Sequence, residues 1–184
     1  MVLKFPFRLR GLRQSVLEEE AQSLCFPLPT LVRIALLDSG FRAGRNMCEF
    51  SVEDLPWLSQ WAPEALVLPL GLALSLADRK VRGLFDLPSL NTALVVLTSL
   101  EDSPLVDHHR DLLWRAFGVP VFEQLRDAGG VVIASECEVH DGLHLYDNKA
   151  FCLPGEMVTD HCACGAETPR LRSVAQSHAK SAVA

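Results

Sequence analysis

Short apolar runs alternate with amphipathic stretches between residues 65 and 122, and this rhythm is the strongest signal in the chain. Residues 65–68 (Ala-Leu-Val-Leu) and 93–97 (Ala-Leu-Val-Val-Leu) are apolar at every position. Runs that are apolar on both faces fit buried strands of a parallel sheet covered by helices. Residues 70–80 lie between them as a helix, and Gly83 turns the chain. Ser103 followed by Pro104 reads as an N-cap with proline at the first helical position. Leu105, Leu112, Leu113, Ala116 and Phe117 then mark a buried helical face that ends at Gly118, and residues 119–122 form the next strand. Strand, helix, strand in this order predicts βαβ units.

The flanks are less regular. Residues 12–24 pattern as a helix, with Glu18, Glu19 and Glu20 on its polar side. Residues 31–37 read as a second short helix capped by Gly40. Ser51 and Asp54 stand at capping-box spacing before a short helix that carries Trp57 and Trp61 and ends at Pro63. At the N-terminus Leu3, Phe5, Phe7 and Leu9 alternate with Lys4, Pro6, Arg8 and Arg10, a pattern that fits an edge strand or extended arm better than a targeting peptide. Beyond the turn at residues 127–130 and a strand at 131–134, short strands and turns take over. The expected fold class is α/β: a small, mostly parallel sheet with helices, then a zinc-bound β-rich C-terminal segment. One domain is expected over residues 1–171, with 127–171 as its metal-binding subregion and 172–184 as a flexible tail.

Composition narrows the classes. The 184 residues are 49% hydrophobic and 22% charged, as in an ordinary globular chain. A net charge of −6 without a dense basic cluster argues against nucleic acid as a partner. The longest apolar run, residues 65–77, contains Pro69 and is too short to span a bilayer, so no transmembrane segment and a cytoplasmic location are expected. A shortened sheet leaves an edge or face uncovered, which makes a protein partner or a homo-oligomer the expected association.

Candidate chemistry gathers near the C-terminus. Of six cysteines, Cys137, Cys152, Cys162 and Cys164 fall in the last third. Cys/His clustering without a secretion signal points to metal rather than disulfides. Cys137 and His144 flank Asp141-Gly142, a turn signal, and Cys162-Ala163-Cys164 is followed by Gly165. Three thiolates and an imidazole form a Cys₃His set, a closed shell suited to structural zinc. His140, His161 and Cys152 are rival ligands, with His161 the nearest substitute for His144. Other candidates have plainer readings. His108-His109 fits a solvated helix face, and Trp57, Trp61 and Trp114 fit core or interface positions. Glu136 and Glu138 fit solvated strand positions better than acceptors for a ligand histidine. Arg42 and Arg45 fit a surface turn as well as an anion grip.

The same residues carry a resemblance. The stretch from Glu136-Cys137-Glu138 to Asp141-Gly142-Leu143-His144 resembles the E-C-E-x-x-D-G-L-H motif of phenylacetate–CoA ligases and CapK-like adenylate-forming proteins. Ala116-Phe117-Gly118-Val119-Pro120-Val121 is similar to their A-F-G-x-P-V step. Cys162-Ala163-Cys164-Gly165, then Pro169-Arg170-Leu171, is similar to their C-x-C-G segment and the residues after it. The motifs occur in the family's order across about residues 90–171. The resemblance implies zinc held by Cys137, His144, Cys162 and Cys164.

It also implies nucleotide-binding groups that the sequence does not match. Gly40, Gly44 and Gly71 are isolated, so no Ser/Thr/Gly-rich phosphate loop is read. Glu123-Gln124-Leu125-Arg126-Asp127 stands where the family has a Tyr-Gly-x-x-Glu-type turn, leaving Glu123 as a candidate remnant. Residues 155–160 run straight into His161-Cys162, without the ribose-binding segment, and no lid-domain lysine is matched. A chain without these groups lacks means to stabilise an adenylate transition state. The expectation is a non-catalytic, zinc-stabilised relative serving as an interaction or accessory protein, with no catalytic residues. The alternatives are a split ligase active with a partner chain, or a module that binds CoA or an aryl acid.

Overall fold

The computed structural model describes residues 32–102, 104–146 and 155–172. The expected helix at 12–24, the N-terminal arm, Ser103, Cys152 and the tail from 173 lie outside the described residues. In chain order the elements are β1 (Ile34–Leu37), β2 (Met47–Phe50), a 3₁₀ turn (Val52–Asp54), α1 (Leu55–Trp61), β3 (Ala65–Pro69), α2 (Leu70–Val81), β4 (Ala93–Ser99) and α3 (Asp107–Phe117). They continue with β5 (Val121–Arg126), β6 (Val132–Glu136), β7 (Leu143–Leu145), β8 (Glu156–Val158) and β9 (Arg170–Arg172).

All nine described strands join one sheet, in the order β2-β1-β3-β4-β5-β6-β7-β9-β8. The pairings from β2 to β5 are parallel, and those from β5 to β8 are antiparallel. The sheet is therefore mixed, with four pairings of each kind, and the expectation of a small, mostly parallel sheet is corrected. The β-rich segment is not appended after the sheet but continues it, because β5 pairs with β4 on one side and β6 on the other.

In the parallel half the side chains alternate between two apolar layers, as the period of two requires. Ala35, Leu37, Leu66, Leu68, Leu94 and Val96 pack with Leu58 of α1, Leu76 of α2 and Leu113 of α3. Ile34, Leu36, Ala65, Val67, Val95 and Leu97 form the opposite layer around Phe41. Among the described residues, the helices contribute to the first layer only. None of these helices is long and apolar enough to cross a membrane.

Several local expectations hold. The Ser51 N–H and hydroxyl both donate to the Asp54 carboxylate, at 3.1 and 2.8 Å, and α1 ends at Ala62 in a left-handed conformation just before Pro63. Gly118 closes α3 with φ +69, its N–H donating to the Trp114 carbonyl at 2.8 Å.

Others are corrected. Residues 34–37 form a strand rather than a helix, and Gly40 (φ +72) turns the loop after it. A four-residue apolar run has no decisive period, and here parallel pairing to both β2 and β3 selects the extended form. The third helix begins at Asp107, after Val106 in an extended conformation, rather than at Pro104. Its buried face is Leu113, Ala116 and Phe117, at i, i+3 and i+4. Leu112, one position earlier, is rotated off that stripe and is 41% exposed. Trp57 and Trp114 are also exposed, and Trp61 alone of the three tryptophans packs on the core, against Phe50. β5 extends through Arg126, so the turn expected at 123–127 is strand over its first four residues.

Candidate metal centre

The antiparallel half carries two ligand-bearing loops on adjacent strands. Cys137 follows β6 directly. The chain then turns back through His140 (φ +54), whose N–H donates to the Cys137 carbonyl at 3.1 Å, and through Gly142 (φ +92) into β7. Gly142 is required twice over. Its φ is left-handed, and a Cβ there would lie 2.9 Å from the Leu171 carbonyl oxygen. His144 sits in β7 opposite Ser135 of β6 and Arg170 of β9. The second loop precedes β9. The Gly165 N–H donates to the Cys162 carbonyl at 2.9 Å, Gly165 has φ +86, and the Ala166 N–H points at the Cys164 sulfur at 3.4 Å.

These turns bring Cys137, His144, Cys162 and Cys164 together, with one ligand atom of each within 4.8 Å of all the others. The Cys137 and Cys162 sulfurs are 3.7 Å apart, and the Cys164 sulfur is 3.4 Å from His144 Nε2. Cys137, His144 and Cys162 are buried and Cys164 is half-buried. Thr168 Oγ1 lies 2.9 Å from His144 Nδ1. With Nδ1–H donating there, the Nε2 lone pair is left facing the sulfurs, the usual arrangement for a ligand imidazole. The cluster could hold a metal ion.

The electrostatics differ among the four groups. Burial holds the His144 pKa below its ordinary value, which keeps the ring neutral and able to donate its lone pair. Burial pushes the Cys137 thiol up to about 12. For Cys162 burial acts upward too, but hydrogen bonds from Cys164 and Cys137 and the charge of Arg170 outweigh it, so that thiol lies below its ordinary value.

The two rival ligands among the described residues fall elsewhere. His161 is exposed and stands outside the cluster. His140 donates from Nδ1 to Glu136 at 3.0 Å and stacks on Phe122, with ring centroids 4.8 Å apart.

Glu136 is not the solvated residue expected from its place beside Cys137. It is 2% exposed, accepts from the Glu123 N–H at 3.0 Å and pairs with Arg110 at 2.9 Å. Glu138 is exposed, as expected. Glu123 is also buried and accepts from the Thr98 hydroxyl at 2.7 Å. Burial raises its pKa, with Thr98 and Arg110 acting in opposition. An open cleft of about 410 Å³ lies beside this network, lined in part by Asp107, Arg110, Trp114, Glu136 and His140. Arg110 gave no warning in sequence: a lone arginine on an amphipathic helix ordinarily faces water. Arg42 and Arg45 lie on an exposed turn.

No family model and no curated protein matches the sequence. Solved structures do match. A crystal structure of 2-hydroxyisobutyryl-CoA ligase in an open conformation, in complex with 2-HIB-AMP and CoA, superposes with a TM-score of 0.54 at 13% identity. The same ligase in its thioesterification state gives 0.54 at 14%. The fold resembles part of an adenylate-forming CoA ligase. Each match covers 76% of this chain, which in turn spans 43% and 42% of the two ligase chains, less than half their length.

Proposed function

We propose that the chain is a zinc-stabilised, non-catalytic relative of acyl-CoA ligases of the phenylacetate–CoA ligase and CapK-like kind, acting as an interaction or accessory protein. The observation that carries this reading is the four-residue cluster. A tetrahedral shell with Zn–S of about 2.3 Å and Zn–N of about 2.0 Å has S···S edges of about 3.8 Å and S···N edges of about 3.5 Å. The 3.7 and 3.4 Å separations match those edges. Three thiolates and one imidazole favour zinc over harder cations and leave no open position for a reacting water, so the metal acts as a staple.

The non-catalytic part of the reading is supported by Glu123. Its carboxylate is committed to Thr98 inside a paired strand, flanked by the buried Gln124, rather than presented from a turn toward a nucleotide. A second reading has its own support. Because the chain spans under half of the matched ligases, it could supply one portion of an active ligase completed by another chain.

The deciding experiment is metal analysis by mass spectrometry on protein purified without added metal, with ATP and CoA binding measured on the same sample. One zinc per chain with no ATP binding is expected. Loss of zinc binding in neither Cys137→Ser nor Cys164→Ser would sink the ligand assignment, and His161→Ala should leave metal content unchanged. ATP–pyrophosphate exchange on mixing with a chain that carries a phosphate loop would favour the second reading.

A further inference from the structure

We infer that Arg170 is a positioning residue of the metal centre: its guanidinium clasps the two ligand-bearing loops together and thereby sets metal affinity. The inference rests on the metal reading above. Arg170 is 1% exposed, and it stands opposite both His144 of β7 and Val158 of β8. Nη1 donates to the Asp141 carbonyl at 2.9 Å and to the Asp141 carboxylate at 2.5 Å, inside the loop that joins Cys137 to His144. Nη2 donates to the Asp160 carboxylate, two residues before Cys162. Arg172 adds two bonds to Asp141, at 3.0 and 2.7 Å. One planar cation thus binds an acid in each loop, while its own backbone belongs to the strand between them.

The physical case begins with the entropy of the loops. Fixing each backbone residue costs conformational entropy, and metal binding must supply whatever part of that cost the apoprotein has not already met. Among the described residues the apolar cluster available here is small: Leu125, Ala134, Leu145 and Leu171, with Ile133 and Leu143 partly buried against it. A buried arginine would itself be costly without partners, and two carboxylates make it a net tie rather than a stranded charge. The geometry also requires arginine. Its rigid fork reaches two acids in different directions, whereas a lysine ammonium is a single point charge.

The test measures Zn²⁺ affinity of the full chain by competition with a chromogenic chelator. The melting temperature of apo and loaded protein and the absorption of the Co²⁺-loaded form are recorded alongside. Wild type is compared with Arg170→Lys, Arg170→Met and Asp160→Asn. Loss of such outer partners typically weakens metal binding by roughly 10–100-fold. That loss is expected for both Arg170 variants, with a smaller one for Asp160→Asn. The saturated Co²⁺ spectrum should stay that of a tetrahedral thiolate site, since the ligands are untouched. Unchanged affinity in Arg170→Lys and Asp160→Asn, with apo and loaded melting temperatures falling equally, would reduce Arg170 to a structural strut and overturn the inference. An altered Co²⁺ spectrum at saturation would also overturn it. Should Arg170→Met fail to fold, the other two variants still decide. Failure of wild type to bind either ion would instead remove the metal reading itself.

Discussion

The parallel half of the sheet and the antiparallel half are stabilised by different chemistry. From β1 to β5, one apolar cluster gathers 22 buried residues from strands and helices, and a second gathers 7 on the other face. Among the described residues from β5 to β9 the corresponding cluster holds 4, with Ile133 and Leu143 partly buried against it, so burial of apolar surface contributes less to those short strands. Beside that small cluster this half has the Cys₃His group, the Arg170–Asp141–Asp160 clasp and glycines at tight approaches. Strands of three residues offer few ladder bonds and little area, so cross-links between loops count for more there. The seam between the halves is itself polar, made of Arg110, Glu123 and Glu136.

The sharpest way to break this comparison is to deny the cluster its proposed metal. Chelation, or Cys164→Ser, should forfeit a large share of the roughly 10–16 kcal/mol apparent binding energy typical of structural zinc. Hydrogen exchange should then show amides of β6 to β9 losing protection while those of β3 and β4 keep theirs. Uniform loss across both halves would mean that they are not energetically distinct.

Next in size is the seam. Glu136→Ala removes the nearer of the two carboxylates paired with Arg110 and leaves Glu123 at 3.5 Å, so the loss should reach at most the roughly 3–5 kcal/mol of breaking a buried pair. Urea denaturation should report that loss for the whole chain, because the pair joins α3 and β6. Leu94→Ala, in the parallel core, should cost roughly 2–5 kcal/mol while leaving whatever metal content the wild type has unchanged.

A smaller loss is expected from Gly142→Ala. A side chain at φ +92, 2.9 Å from the Leu171 carbonyl oxygen, must strain the first ligand loop or push β9 away. A cost of roughly 1–3 kcal/mol, read as a lower melting temperature, is expected.

The least effect concerns Glu123. Its folded-state pKa is raised, so the folded chain keeps a proton that the unfolded chain has already released. Its contribution to stability therefore declines as pH climbs from the unfolded value toward the folded one, and levels off above it. Glu123→Gln keeps an acceptor for Thr98 and removes that slope. Denaturation midpoints should show the variant gaining on wild type as pH rises through this window; parallel profiles would count against it.

Much of the parallel half is legible in the sequence because its signals are local. The unbroken apolar runs in β3 and β4 and the Ser51–Asp54 box each act over a few residues. The run at 34–37 is ambiguous because four apolar residues fit either form until neighbouring strands are known. The end of β5 is hidden because Glu123 and Gln124 look like loop residues, and only their burial partners make them strand. Leu112 and Leu113 are equally apolar, and the helix's phase against the sheet chose between them.

The sequence by itself proposed a donor set: cysteine and histidine chemistry, a turn signal within each loop, and spacings that favour Cys137, His144, Cys162 and Cys164 while leaving His140, His161 and Cys152 as rivals. Tertiary structure alone decided which polar residues support it. Glu136 became a buried partner of Arg110 rather than a solvated acid, and Arg170 became the tie between two loops. Turn formation and ligand type are properties of short segments. The burial of a charge depends on which distant partners the sheet's register brings to it, and no short segment specifies that register.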